Sequence, residues 1–114
     1  MAKTFDFNKI KEKTMPVILS DEDQTTLILK TPNKALWEDL EALYKEIENS
    51  DDEEEVSDTL YMVTAKIMSR NKNNITITPE HLKEMYDDRD YIMAFLAAYT
   101  EFIEEYKAAT NSKN

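Results

Sequence analysis

Apolar residues in the last quarter of the chain recur with the period of an α-helix. The positions that share one side of a helical wheel are Ile92, Phe95, Leu96, Tyr99, Phe102, Ile103 and Tyr106. Acidic residues such as Glu101 and Glu105 fall on the opposite side. This pattern predicts an amphipathic helix over residues 88–108, and we expect the rest of the chain to be organised around it.

Three earlier stretches show the same three- and four-residue spacing, which predicts helices over residues 32–48, 52–70 and 79–86. The first and third begin with a Thr-Pro pair, a capping hydroxyl followed by the residue favoured at the first helical position. The apolar positions are Leu36, Leu40, Leu43, Tyr44 and Ile47 in the first helix, Val56, Leu60, Val63 and Ile67 in the second, and Leu82, Met85 and Tyr86 in the third.

Five consecutive acids, residues 51–55, precede the second of these helices. They could form a cation site or a docking patch for a basic partner. We favour a third interpretation, in which they occupy the first turn of the helix and complement its positive end.

Two short aliphatic runs within residues 15–30, separated by a polar stretch, predict a β-hairpin. Each run has three consecutive aliphatics, so apolar side chains point to both faces. We therefore expect helices to cover one face, and a partner or the N-terminal arm to cover the other. Pro16 should lie at a strand start or on an exposed edge. Residues 75–77 are long enough for a short extended segment that could add a third strand.

The two ends of the chain differ in charge from its middle. Residues 1–13 form a basic arm with Phe5, Phe7 and Ile10, which is either a short β segment that docks on the body or a partly disordered terminus. Residues 109–114 are predicted to be a polar tail. The predicted fold is thus mainly α with a small N-terminal β-hairpin (α+β), a single domain over residues 14–108.

Composition excludes several classes of function. The net charge of −10 argues against nucleic-acid binding and favours a basic partner. The chain has no Cys and no Gly, which removes thiolate chemistry and makes glycine-rich phosphate loops unlikely. The single histidine, His81, shares a helix face with Glu84 but lacks further ligands, so we interpret it as an exposed helix residue. We expect no enzyme activity, no metal and no cofactor.

The apolar runs of the sequence do not match a targeting signal either. No apolar run reaches the length of a membrane span, and residues 1–13 lack the apolar core of a secretion signal. We expect a cytosolic protein that binds neither membranes nor nucleic acid.

Six of the eleven aromatic residues lie between Tyr86 and Tyr106. Such a concentration is typical of a helix that packs into a core, and Tyr also tolerates exposure at an oligomer or docking surface. The candidate partner-binding residues are the exposed members of the set Tyr91, Phe95, Tyr99, Phe102 and Tyr106.

Several stretches together resemble the tail assembly chaperones of long-tailed bacteriophages and prophages of Gram-positive hosts. They are Lys-Thr-Met-Pro-Val at 13–17, Leu-Lys-Thr-Pro at 29–32, Thr-Ala-Lys-Ile-Met-Ser-Arg-Asn at 64–71, Ala-Ala-Tyr-Thr-Glu-Phe-Ile at 97–103 and Asn-Ser-Lys-Asn at 111–114. The resemblance implies a protein of the host cytoplasm, absent from the mature virion, that binds the tape measure protein and helps recruit tail tube subunits. It also implies small helical proteins that often form homo-oligomers, many with a longer frameshifted form.

Two other functions stay open at this point. A small acidic phage or bacterial regulatory module could bind a basic host protein or mimic DNA, with residues 51–55 dominating binding and a steep dependence on salt. An enzyme would require a deep pocket holding carboxylates with strongly shifted pKa values.

Overall fold

A computed structural model describes residues 4–6 and 13–111 of the chain, without the side chains of residues 107–111. The elements are β1 (Thr14–Ile18), β2 (Thr26–Lys30), α1 (Lys34–Asn49), α2 (Glu53–Ser69), α3 (Pro79–Met85) and α4 (Arg89–Asn111). The predicted class, mainly helical with an N-terminal hairpin, is confirmed. The helix α4 continues past 108, so residues 109–111 are helical and not a polar tail. The predictions for residues 1–3, 7–12 and 112–114 lie outside the described residues.

The central element is α2, and the expectation that the last helix would organise the chain is wrong. Helix α2 packs against α1, α3, α4 and β2. Its buried residues lie on several sides of the helix and not on one stripe; they are Thr59, Leu60, Tyr61, Val63, Thr64, Ala65, Ile67 and Met68. Small side chains such as Ala65 let neighbouring elements approach closely, and a helix that is apolar on most sides is expected to be buried.

The helix starts follow the capping rules, with one shift along the chain. Helix α1 begins at Lys34, two residues later than predicted, because the side chain of Asn33 caps it by accepting from the backbone N–H of Leu36 at 2.9 Å. The predicted start of α3 is confirmed: Thr78 caps the helix and Pro79 follows it.

The acidic run 51–55 opens α2, as the favoured interpretation predicted. Asp52 is the N-cap and its carboxylate accepts from the backbone N–H of Glu54 at 2.9 Å. The three glutamates that follow fill the first turn, where negative charge complements the positive end of the helix.

The strands β1 and β2 pair antiparallel, with Pro16 opposite Ile28 and Val17 opposite Leu27. Leu27 on the inner face is fully buried, whereas Ile18 on the outer face is 67% exposed. The backbone N–H of Leu19 donates to the Thr25 carbonyl. Because backbone groups that face the partner strand alternate along β1, the backbone nitrogen of Pro16 faces away from β2. A proline fits there because it has no N–H to donate.

Residues 70–72, and not 75–77, extend the hairpin on the far side of β2. The backbone N–H of Lys72 donates to the Ile28 carbonyl at 2.9 Å, and that of Lys30 donates to the Arg70 carbonyl at 3.1 Å. Residues 75–77, which the sequence left open as a third strand, do not form one, and the side chain of Asn71 holds the turn that precedes them. This buried side chain donates to the carbonyls of Met68 and Ile75 and accepts from two backbone N–H groups, so all its polar atoms are satisfied.

The hairpin turn is closed without glycine. Gln24 takes a left-handed backbone conformation with a φ of 48° and donates its N–H to the Asp21 carbonyl. The carboxylate of Asp21 accepts from the hydroxyl and from the backbone N–H of Thr25. These two hydrogen bonds lower the pKa of Asp21 below its ordinary value and fasten the turn.

Candidate binding surface

The five aromatic residues proposed from the sequence occupy different environments. Tyr91 is 61% exposed, whereas Tyr99 is only 2% exposed. The remaining three, Phe95, Phe102 and Tyr106, are half-buried. Tyr99 is therefore not one of the exposed members of the set.

Tyr99 instead anchors α4 to the sheet. Its hydroxyl donates to the backbone carbonyl of Lys30 at 3.1 Å, and burial raises the pKa of Tyr99 to about 12. The ring of Phe95 lies 6.1 Å from the Tyr99 ring and that of Phe102 lies 5.8 Å from it. Because Tyr99 is held by both packing and a hydrogen bond, it supports the half-buried rings on either side.

An apolar cavity of about 260 Å³ opens where the N-terminal part of α4 meets β1. Met68 and Ile92 lie at the buried side of this cavity, and we define the Tyr91 surface as the five less buried apolar residues that line it: Val17, Ile18, Tyr86, Tyr91 and Phe95. Within residues 13–106, Ile18 and Tyr91 are the most exposed large apolar side chains. The surface therefore leaves apolar area in water at a concave site, which is typical of an interaction site.

Tyr86 fixes the geometry of this surface. Its hydroxyl accepts from the backbone N–H of Ser20 at 3.0 Å and donates to the Ser20 hydroxyl at 3.1 Å. Its backbone carbonyl accepts from the hydroxyl of Tyr61 in α2. The Tyr86 ring also lies 5.6 Å from that of Tyr91. The hairpin turn and the segment between α3 and α4 are thus tied together before any ligand arrives.

The two segments joined by Tyr86 are rich in acids. The hairpin turn contributes Asp21, Glu22 and Asp23, and the segment leading into α4 contributes Asp87, Asp88 and Asp90. Two of these acids have structural partners: Asp21 bonds Thr25, and the Asp88 carboxylate accepts from the Asp90 N–H at 2.9 Å. Arg89 is the only base in these two segments. No charged side chain lines the cavity itself, but Asp21, Asp87 and Asp90 directly neighbour Ser20, Tyr86 and Tyr91 in the chain, and these three neighbours do line it. We call the acids of these two segments the rim of the cavity.

A larger groove of about 580 Å³ lies between α1, α2 and the start of α3. Its charged groups are already used within the fold. Asp39 pairs with Lys66 at 3.5 Å, and the Nε of Arg70 donates to the Thr31 carbonyl at 2.7 Å. One exposed large apolar side chain, Met62, lines it. We therefore take the Tyr91 surface as the candidate binding site, despite its smaller cavity.

Among residues 4–6 and 13–111, no group of three or more His, Cys, Asp or Glu side chains could hold a metal ion. His81 is exposed on α3. In the same residues, no helix is long and apolar enough to cross a membrane.

Sequence reasoning named Tyr91 and Phe95 but missed Val17, Ile18 and Tyr86 as members of the same surface. A signal for Ile18 was present, since three consecutive aliphatics on a strand must place at least one side chain on the outer face. Tyr86 gave no such signal, because its contact with Ser20 joins residues that are far apart in the chain.

Comparison of the chain with protein-family models, with curated proteins and with solved structures finds no match.

Proposed function

We propose that this protein is a tail assembly chaperone of a long-tailed bacteriophage or prophage. In this proposal it binds the tape measure protein in the host cytoplasm, helps recruit tail tube subunits, and is absent from the mature virion. It acts by binding and not by catalysis. The resemblance of the stretches at 13–17, 29–32, 64–71 and 97–103 to this family supports the proposal.

The observation that carries the proposal is the joint exposure of Ile18 and Tyr91 beside a cavity whose shape Tyr86 fixes. A chaperone of a long, aggregation-prone helical rod must offer apolar area to its client while staying soluble itself. The Tyr91 surface supplies the apolar area. The net charge of −10 supplies the solubility through repulsion between copies.

The acidic regulatory module finds no comparable support. That alternative relies on residues 51–55, and these residues have structural roles at the start of α2. Besides the Asp52 cap, the carboxylate of Glu55 accepts from the hydroxyl of Ser50 at 2.8 Å. These contacts explain the acidic run without a partner.

Co-expression with the tape measure protein encoded by the same phage tests the proposal. We expect the wild-type chain to raise the soluble fraction of that protein, and the double variant Ile18→Ser/Tyr91→Ser to lose most of this effect. The matched control is Met62→Ser/Met93→Ser, which removes two large side chains that are 41% and 48% exposed but do not line the cavity.

Circular dichroism melting of both double variants separates binding from folding, since exposed substitutions are expected to change stability by less than about 1 kcal/mol. The chaperone proposal is wrong if the wild-type chain leaves the solubility of the tape measure protein unchanged. The assignment of the site is wrong if the control variant loses as much activity as Ile18→Ser/Tyr91→Ser.

A further inference from the structure

We infer that the Tyr91 surface binds a segment of another polypeptide in which one large apolar side chain is flanked by lysines or arginines. This inference rests on the proposed function, which states that the Tyr91 surface is used for binding. It adds the chemistry of the segment that is bound, which follows from the cavity and from its rim.

The cavity sets the apolar part of the ligand. An enclosed apolar cavity of roughly 150 Å³ can hold a benzene molecule. The cavity beside Tyr91, at about 260 Å³, has room for a whole leucine, methionine or phenylalanine side chain. Its walls include the side chains of Val17, Met68 and Phe95, and none of the residues that line it is charged. One large apolar side chain is therefore the anchor that fits.

The rim sets the charge of the ligand. The hydrogen bonds between Ser20 and Tyr86 hold the hairpin turn against the segment that leads into α4. The exposed acids of these two segments are Glu22, Asp23, Asp87, Asp88 and Asp90. Basic groups on either side of an anchor in the cavity would meet these carboxylates, and acidic groups would be repelled by them.

The same rim argues against other occupants. A phosphate backbone or an anionic membrane surface would bring negative charge against the acids. A second copy of the chain, joined face to face by two-fold symmetry, would place its own acidic rim against the first. A basic polypeptide segment with a large apolar side chain is the occupant that complements both the cavity and its rim.

Fluorescence anisotropy with two synthetic peptides tests the inference. Both peptides carry the same leucines at helical spacing and the same fluorescein label. One has lysines at the remaining positions and the other has glutamates. We expect the lysine peptide to bind at least about tenfold more tightly, with an affinity that falls as salt is added.

Protein variants locate the binding. Ile18→Ser/Tyr91→Ser should abolish binding of the lysine peptide. Glu22→Gln/Asp23→Asn/Asp87→Asn should weaken it several-fold, because three rim charges are lost. The matched control Glu101→Gln/Glu104→Gln/Glu105→Gln removes the same net charge further along α4 and should leave the affinity nearly unchanged.

Equal binding of the two peptides, or an equal loss from the rim and control triple variants, would overturn the inference. Lysine-peptide binding that survives Ile18→Ser/Tyr91→Ser would overturn it as well. Failure of the proposed function looks different: the lysine peptide then binds at the Tyr91 surface, but the tape measure protein gains no solubility. If the chaperone effect is present and the peptide preference absent, the function stands and this inference fails.

Discussion

Helices α2 and α4 use apolar residues in opposite ways. Helix α2 is buried on several sides and contacts α1, α3, α4 and β2. Helix α4 buries one stripe, centred on Ile92 and Tyr99, and leaves Tyr91 in water at its edge. Helix α4, whose pattern suggested the organising element, therefore lies at the periphery, and α2 forms the centre. A strong amphipathic pattern identifies a boundary between core and solvent and does not identify the middle of a fold.

The largest expected loss of stability comes from a core substitution in α2. Ile67→Ala should lower the free energy of unfolding by about 2–5 kcal/mol, because Ile67 is 1% exposed and its truncation leaves a cavity in the core. Urea denaturation of the purified protein measures the change. Met62→Ala on the same helix is the control, and at 41% exposure it should cost less than about 1 kcal/mol. Similar losses for the two variants would contradict the central place of α2.

A smaller effect is expected at the anchor of α4. Tyr99→Phe removes the hydrogen bond to the Lys30 carbonyl and should cost about 1 kcal/mol. The raised pKa of Tyr99 adds a pH dependence. The folded state holds the tyrosine proton more tightly than the unfolded state, so this contribution is fully present below pH 10 and is lost as the pH rises through about 12.

Denaturation curves at a series of alkaline pH values test this dependence, with Tyr99→Phe as the comparison. The variant should lose less stability than the wild type as the pH rises from 10 through about 12. If both proteins lose stability equally in that range, Tyr99 does not anchor α4 in the way described.

The elements of this fold were predictable because their signals are local. The Thr-Pro start of α3, the acidic first turn of α2 and the period of α4 each depend on a few neighbouring residues. Asn33 displaced the predicted cap at Thr31 because both residues can cap a helix, and the sequence does not decide between adjacent candidates.

The arrangement of the elements, and with it three of the five residues of the candidate site, was not predictable in the same way. The bridge that residues 70–72 make to β2 depends on long-range hydrogen bonds, and the sequence offered 75–77 as the segment that could join the sheet. The Tyr91 surface combines Ile18 with Tyr86 and Tyr91, and only tertiary structure brings these residues together. Tyr91 itself could be named from the sequence, but its exposure and the burial of Tyr99 could not.

Hydrogen–deuterium exchange of the protein, alone and in a purified complex with the tape measure protein, tests the central claim most directly. The account predicts new protection in residues 17–20 and 86–95, which contain the Tyr91 surface, and little change in residues 33–39 and 62–66 along the larger groove. Protection confined to that groove, with residues 86–95 unchanged, would contradict it.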